Sequence, residues 1–196
     1  MDGVYFIRHE EPRDHGQIRK MTIAAFAAAY GTGELEADLV ENLRAGPEHD
    51  PALALVAVRG DLVVGHVMLS PVTLRNDVGR AWPALVLAPL GVRIGHQRQG
   101  IGTALMEAAI AAARQQGHTR IVLSGSPEYY QRHGFEDAAL YSLRDELGTP
   151  APHFVVLALS RGAFAGLSGT VVYPATWDGV RKAQPTPPET DDDSLP

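Results

Sequence analysis

The chain has 196 residues, 45% hydrophobic and 20% charged, which is the length of one domain and enough apolar material for a buried core. A formal charge of -6 argues against a nucleic-acid partner, and the absence of cysteine excludes a disulfide framework, a thiolate nucleophile and a cysteine-ligated metal. Met1 to Glu10 lacks the basic start and apolar run of a secretory signal, and no later stretch is apolar for long enough to span a bilayer. The expectation is therefore a cytoplasmic protein without a membrane partner.

Val4 to His9 is a short β-branched run closed by Glu10-Glu11-Pro12, which predicts an opening strand and then a helix start. Ile18, Met21, Ala25, Phe26 and Ala29 recur at helical spacing until Gly31 and Gly33 stop the pattern, and Glu34 to Arg44 predicts a second helix ended by Gly46-Pro47. Ala52 to Val58 and Leu62 to Leu74 read as strands joined in a hairpin by Arg59-Gly60-Asp61. Ala84 to Val92 is a third strand, but Pro89 and Gly91 sit badly in a continuous ladder and predict a bulge or a splay.

Gly100 to Gln116 carries an apolar stripe of Ile101, Leu105, Ala108 or Ala109 and Ala112, with Gly117 as its stop, and predicts a long helix. Thr119 to Leu123 follows as a buried strand, Pro127 to His133 as a short helix, Phe154 to Leu159 as a strand, and Gly169 to Tyr173 as a last one. A meander followed by strand, helix and strand predicts an α/β fold with a mixed, largely antiparallel central sheet flanked by helices. The Pro-rich, acidic stretch from 178 to 196 has little apolar surface to offset the entropy of ordering, so a loose tail is expected there.

The segment Gln97-Arg98-Gln99-Gly100-Ile101-Gly102-Thr103 lies between a strand and a helix. Unpaired N–H groups and the positive end of a helix dipole suit phosphates, and Gly100 and Gly102 let the backbone approach them. Gln97, Arg98 and Gln99 are candidate side-chain donors. The spacing is neither a P-loop, since no Gly-Lys-Ser/Thr follows, nor a dinucleotide fingerprint, since Leu105 stands where that pattern needs a small residue. Taken alone, the loop is equally compatible with an ordinary helix entry that binds nothing.

Gln97-x-x-Gly100-x-Gly102 resembles the phosphate loop of the GNAT acetyltransferase superfamily, and Tyr130, Gly134 and Phe135 are similar to that family's Tyr-x-x-x-Gly-Phe motif. The Tyr129-Tyr130 pair before Arg132-x-Gly134-Phe135 looks like a bacterial branch of small-molecule N-acetyltransferases. The resemblance covers about residues 4 to 159, so residues 1–160 are expected to form the acetyltransferase domain and 161–177 a C-terminal extension. It implies acetyl-CoA as co-substrate and direct attack on it by a primary amine of a small molecule or peptide. It also implies that Leu90, Gly91 and Val92 hold the pantetheine arm, that Gln97 to Thr103 hold the pyrophosphate, and that Tyr130 is the catalytic acid.

A phenol with a reference pKa of about 10 is suited to protonating a leaving thiolate. Tyr129 is the alternative, because neighbours in a helix point roughly 100° apart and only one of the pair can face the thioester. No carboxylate in Ala84 to Val92 offers itself as the base, which leaves an ordered water or a backbone-linked proton wire; His66 could lie beside the acceptor site and take a proton, but a lone histidine on a strand reads as structural or solvent-facing. Phe26 to Glu41 and Tyr141 to His153 are the segments expected to shape the acceptor site. Glu34, Glu36, Asp38 and Glu41 read as a solvated helix face.

His96 and His118 read as surface residues, and no histidine–carboxylate spacing suggests a metal site. The apolar segment Ala163 to Trp177 has three roles open to it: extending the sheet, covering its edge, or pairing with a second subunit in a homodimer. Two other functions remain open beside the enzyme: an acyl-CoA-binding regulatory domain without turnover, and a nucleotide or phosphate binder.

Overall fold

The computed structural model describes residues 4–183. Its elements are β1 (Phe6–His9), α1 (His15–Tyr30), α2 (Glu34–Ala45), β2 (Ala54–Arg59), β3 (Leu62–Arg75), β4 (Ala81–Val92), α3 (Ile101–Gln115), β5 (Arg120–Ser124), α4 (Pro127–Tyr130), β6 (Glu136–Asp137), β7 (Leu143–Asp145), β8 (Phe154–Ala158), β9 (Gly169–Val172) and α5 (Asp178–Ala183). The strands join in one sheet whose main path is β1-β2-β3-β4-β5-β8-β6, mostly antiparallel, with β4 and β5 parallel across the α3 crossover. This is the expected mixed α/β architecture.

The central strands are buried on both faces, and neighbouring residues go to opposite cores as the pleat requires. Leu55, Val67, Leu85, Ile121 and Val155 pack with Ile101, Leu105 and Ala109 of α3. Their successors Val56, Met68, Val86, Val122 and Val156 pack on the other face with Ile18 and Met21 of α1 and Leu39 and Leu43 of α2. Gly65 sets the spacing on the α3 side, since a Cβ there would lie 2.7 Å from Leu105 Cδ1 and 3.0 Å from Ile101 Cγ2. The bare backbone of β3 thus lets the first turns of α3 rest directly on the sheet.

β3 is long enough to serve two partners along one edge. Its first half pairs with β2, and Thr73, Leu74 and Arg75 pair with Val172, Val171 and Thr170 of β9. Segment 161–177 therefore contributes a sheet strand, and its Phe164, Tyr173 and Trp177 are buried in the chain's own core. The expectation of a loose tail from 178 is corrected: Asp178–Ala183 is a helix in contact with α2. Val180, partly buried against the same core, supplies the apolar contact that composition alone understated. The rest of that expected tail, 184–196, lies outside the described residues.

On the α1 and α2 face a buried ionic knot joins three elements. The Glu10 carboxylate, just after β1, accepts bonds from Arg44 Nε of α2 at 2.8 Å and Nη2 at 3.1 Å, and lies 2.9 Å from His66 Nε2 of β3. Despite burial, which raises a carboxyl pKa, the hydrogen bonds and charges of His66 and Arg44 hold Glu10 down at about 2. His66 is therefore structural rather than solvent-facing.

Candidate active site

The irregularity expected from Pro89 and Gly91 is present as both a bulge and a splay. Val67 pairs with Leu90 and Leu69 with Leu87, so Ala88 and Pro89 together oppose the single residue Met68. The extra residue reverses the phase of β4: Leu85 and Leu87 face α3 before it, and Leu90 and Val92 after it. Gly91 consequently turns to the other face, where a Cβ would be 3.7 Å from both Met21 and Phe26 of α1.

On its other edge β4 meets β5 only at Leu85 with Ile121 and Val86 with Val122. Beyond those pairs the strands part, and a cavity of about 310 Å³ opens in the fork. Leu87 to Leu90 form one wall and Ser124 to Ser126 the other, with both Tyr129 and Tyr130 among the lining residues. An edge of β4 without a strand partner leaves main-chain groups available to a ligand that runs along it, as in strand addition.

The β4–α3 loop follows the free part of β4, and Thr103 in the turn after it contacts the lining residue Tyr129. Arg93 ties its start to β3 through its backbone N–H to the Val64 carbonyl at 2.9 Å and through Nε to the Val63 carbonyl at 2.7 Å. Gly95, Arg98 and Gly100 have positive φ values of 83°, 58° and 77°, and Gly100 is the residue that turns the chain into α3. No side chain caps that helix, and its first backbone bond there runs from the Ala104 N–H to the Gly100 carbonyl. The amides of Ile101, Gly102 and Thr103 are thus the unpaired donors that make a helix N-terminus attractive to an anion. Ile101 itself is fully buried and anchors the helix, so only its main chain is available at this helix start.

The side-chain donors divide differently from the sequence expectation. The Gln97 amide is engaged with the Val92 carbonyl at 3.2 Å, and that of Gln99 with the Gly95 carbonyl at 3.2 Å. All three side chains are exposed; both glutamines bond back to the main chain of this segment, Gln99 also accepts from Arg59 at 3.3 Å, and Arg98 adds a cation to the loop.

The two tyrosines separate cleanly. Tyr129 points to the phosphate loop: its hydroxyl is 3.3 Å from Thr103 Oγ1 and would be 3.4 Å from a Cβ on Gly102. Tyr130 is packed edge-on against Tyr129 at 4.9 Å and against Phe135 at 5.5 Å, and its ring lies so close to Gly125 that a Cβ there would come within 2.3 Å. Burial, with smaller contributions from Tyr129 and Tyr30, raises the Tyr130 pKa and keeps the phenol protonated. Gly134, at φ 84°, reverses the chain after this turn so that Phe135 enters the α3-side core.

The far wall comes from α1, α2 and the C-terminal segment: Phe26, Tyr30, Leu35, Leu39, Trp177 and Val180. Phe26, Tyr30, Leu35 and Leu39 fall within Phe26 to Glu41, one of the segments expected to shape an acceptor site. Residues 141–153 do not line this cavity, and instead Leu147 and Thr149 border a smaller neighbour of about 160 Å³. Gly125, Trp177 and Val180 escaped the sequence reading. The Gly125-Ser126-Pro127 turn before the tyrosine pair was a usable signal for the first, but no local pattern brings 177 and 180 to residue 88.

Of the four acidic residues on α2, three are solvated or paired on the outer surface. Glu34 bonds to Thr32 at 2.7 Å, and Asp38 and Glu41 both engage Arg19, at 2.8 Å and 2.9 Å. Glu36 departs from the expectation of a solvated face: it lines the cavity, and its Oε2 is buried without a hydrogen-bond partner. Burial raises its pKa.

The model of the acetyltransferase (GNAT) family matches residues 17–135, a span that includes the bulge, the loop and the tyrosine turn. The chain belongs to the GNAT family. It is an acyltransferase of that family. It is 31% identical to the uncharacterized N-acetyltransferase YhbS of Escherichia coli over 170 residues, 85% of this chain and 95% of the relative. It is 33% identical to E. coli YjhQ over 141 residues, 71% of each chain. Among solved structures, E. coli YhbS in complex with CoA superposes with a TM-score of 0.78 at 29% identity, covering 91% of this chain and 94% of that one. A Brucella melitensis GNAT acetyltransferase in complex with acetyl-CoA gives 0.70 at 31% identity, covering 90% and 99%.

Proposed function

We propose that this GNAT protein transfers the acetyl group of acetyl-CoA to a primary amine by direct attack. The observation that carries the reading is that the free edge of β4 at its bulge and Tyr130 line one cavity, and that Tyr129, also in that lining, reaches Thr103 in the uncapped first turn of α3. A diphosphate fits the α3 turn, a chain with amide groups the β4 edge, and a leaving group that needs a proton Tyr130.

Acetyl-CoA supplies an acetyl group activated as a thioester. The backbone of Ile101, Gly102 and Thr103, with Arg98 in the loop, binds its diphosphate, while Leu90, Gly91 and Val92 align its arm along β4. Tyr130 donates its hydroxyl proton to sulfur as the carbon–sulfur bond breaks and the carbon–nitrogen bond forms. The amine attacks in its neutral form: an ammonium first gives one proton to water, the nitrogen gives a second to water as the amide forms, and Tyr130 is reprotonated from solvent. General acid assistance of this kind contributes roughly 10²- to 10⁴-fold.

Calorimetry with acetyl-CoA, CoA and ATP tests the binding half of the proposal. Acetyl-CoA and CoA are expected to bind in preference to ATP, and a preference for ATP would contradict an arm-binding groove. Release of free CoA in the presence of a panel of primary amines tests the chemistry. Tight binding without release from any amine would favour a regulatory acyl-CoA-binding protein.

A further inference from the structure

The lining of the fork cavity has an uneven chemistry. Its wall from α1, α2 and the C-terminal segment is apolar, with Phe26, Tyr30, Leu35, Leu39, Trp177 and Val180, and Glu36 is the only charged side chain among the lining residues. Among the described residues no lysine, arginine or histidine lines the cavity to offset it. The pairs that occupy Glu34, Asp38 and Glu41 also leave Glu36 out, and one of its carboxylate oxygens is shielded from water without a partner. The backbone N–H of Glu36 itself offsets part of the cost, and a cation or donor reaching a carboxylate half-buried in an apolar wall would offset more of it.

We propose that Glu36 is the specificity-determining residue of the acceptor site, and that the site takes a small monocationic amine on an apolar, ring-sized body. This deepens the acetyltransferase reading above and rests on it. The same cavity reaches the β4 bulge through Ala88, Pro89 and Leu90 and reaches Tyr130, so an amine held against Glu36 shares its space with the reacting end of the co-substrate. The cavity of about 310 Å³ is shared with the reacting end of the co-substrate, and roughly half of it matches the 150 Å³ in which a benzene ring is held. A carboxylate beside the amine would be repelled by Glu36. A second ammonium group would be stranded against apolar side chains.

The test measures binding and turnover of 2-phenylethylamine, phenylalanine and 1,5-diaminopentane by the full chain, in the presence of CoA for binding and acetyl-CoA for turnover. We expect 2-phenylethylamine to bind at least tenfold more tightly than the other two. Glu36→Gln, which keeps the shape and removes the charge, should weaken 2-phenylethylamine about tenfold, the lower range for a charged hydrogen bond. The loss should fall on KM more than on kcat, with acetyl-CoA affinity held within about twofold as the check on folding. Equal binding of 2-phenylethylamine to the wild type and the Gln variant, or preference for the amino acid or the diamine, overturns the assignment. Acetylation of other amines in that case would leave the acetyltransferase reading standing. Failure of every amine to release CoA, with 2-phenylethylamine still binding through Glu36, would sink the reading of function and keep the site.

Discussion

The two ends of the cleft are built by different means. At the α3 end the groups proposed to bind are main-chain ones: the first-turn amides of the helix, the left-handed Gly100 and the free edge of β4. At the acceptor end they are side chains drawn from elements far apart in sequence, with Phe26 on α1, Glu36 and Leu39 on α2, and Trp177 just before α5. A main-chain site tolerates drift in side chains but not in backbone shape, so it is suited to a ligand common to a whole family. A side-chain site changes with single substitutions and is suited to a ligand that differs between members. The two tyrosines divide along this line, with Tyr129 braced on Thr103 at the α3 end and Tyr130 packed on Gly125 in the fork.

Variants at either end can break this contrast. The largest effect is expected from Tyr130→Phe, which should lower kcat about a thousandfold while acetyl-CoA still binds, as read by single-turnover kinetics and calorimetry. Unchanged turnover would remove the acid from the proposal. Gly100→Glu should weaken acetyl-CoA about a hundredfold, because it sets a carboxylate at the mouth of an anion site. Gly100→Ala is its control, reporting only the strain of a Cβ at φ 77°. If both variants bind equally well, the loop is not the phosphate site.

The ionic knot under the acceptor end gives a pH prediction. The folded pKa of Glu10, about 2, lies below the ordinary 4.5, so its stabilisation is complete above about 4.5 and is lost as pH falls towards 2. At 1.36 kcal/mol per tenfold change in proton affinity this is worth about 3 kcal/mol. Denaturant unfolding should show that loss between those pH values, and Glu10→Gln should flatten the dependence. Because the knot ties α2 to β3, the Gln variant should also raise KM for the amine more than it weakens acetyl-CoA. A loss confined to acetyl-CoA would refute the separation of the two ends. The smallest effect is expected for Tyr129→Phe, which removes one neutral hydrogen bond, 3.3 Å long, to Thr103 and should change acetyl-CoA affinity by about threefold or less. A collapse of kcat there would exchange the roles of the two tyrosines.

Much of the frame was legible because it rests on local rules. Strand and helix periods placed β2, β3, β4, α3 and β8 to within a few residues, and the misfit of Pro89 and Gly91 in a strand marked the bulge before its partner Met68 was known. Short elements such as β6 and β7 carry no period of their own, since their ladders are supplied by β8 and β9. α5 was hidden for a related reason: a polar sequence becomes a helix there because α2 offers it a surface.

For the site, the sequence by itself determined the α3 end. A glycine turn at a helix start creates unpaired amides wherever it occurs, and Gln97 to Thr103 stood out as a candidate by its spacing together with the family resemblance. It could not decide which donors are spare, and the tertiary structure shows Gln97 and Gln99 bonded back to the main chain of this segment. Nor could it rank four acidic residues of one helix. Arg19 on α1 pairs with Asp38 and Glu41, and the fold of α2 over the β4–β5 fork leaves Glu36 against apolar walls. Which charge is solvated and which is buried depends on what stands opposite it, and that is fixed only when distant segments pack.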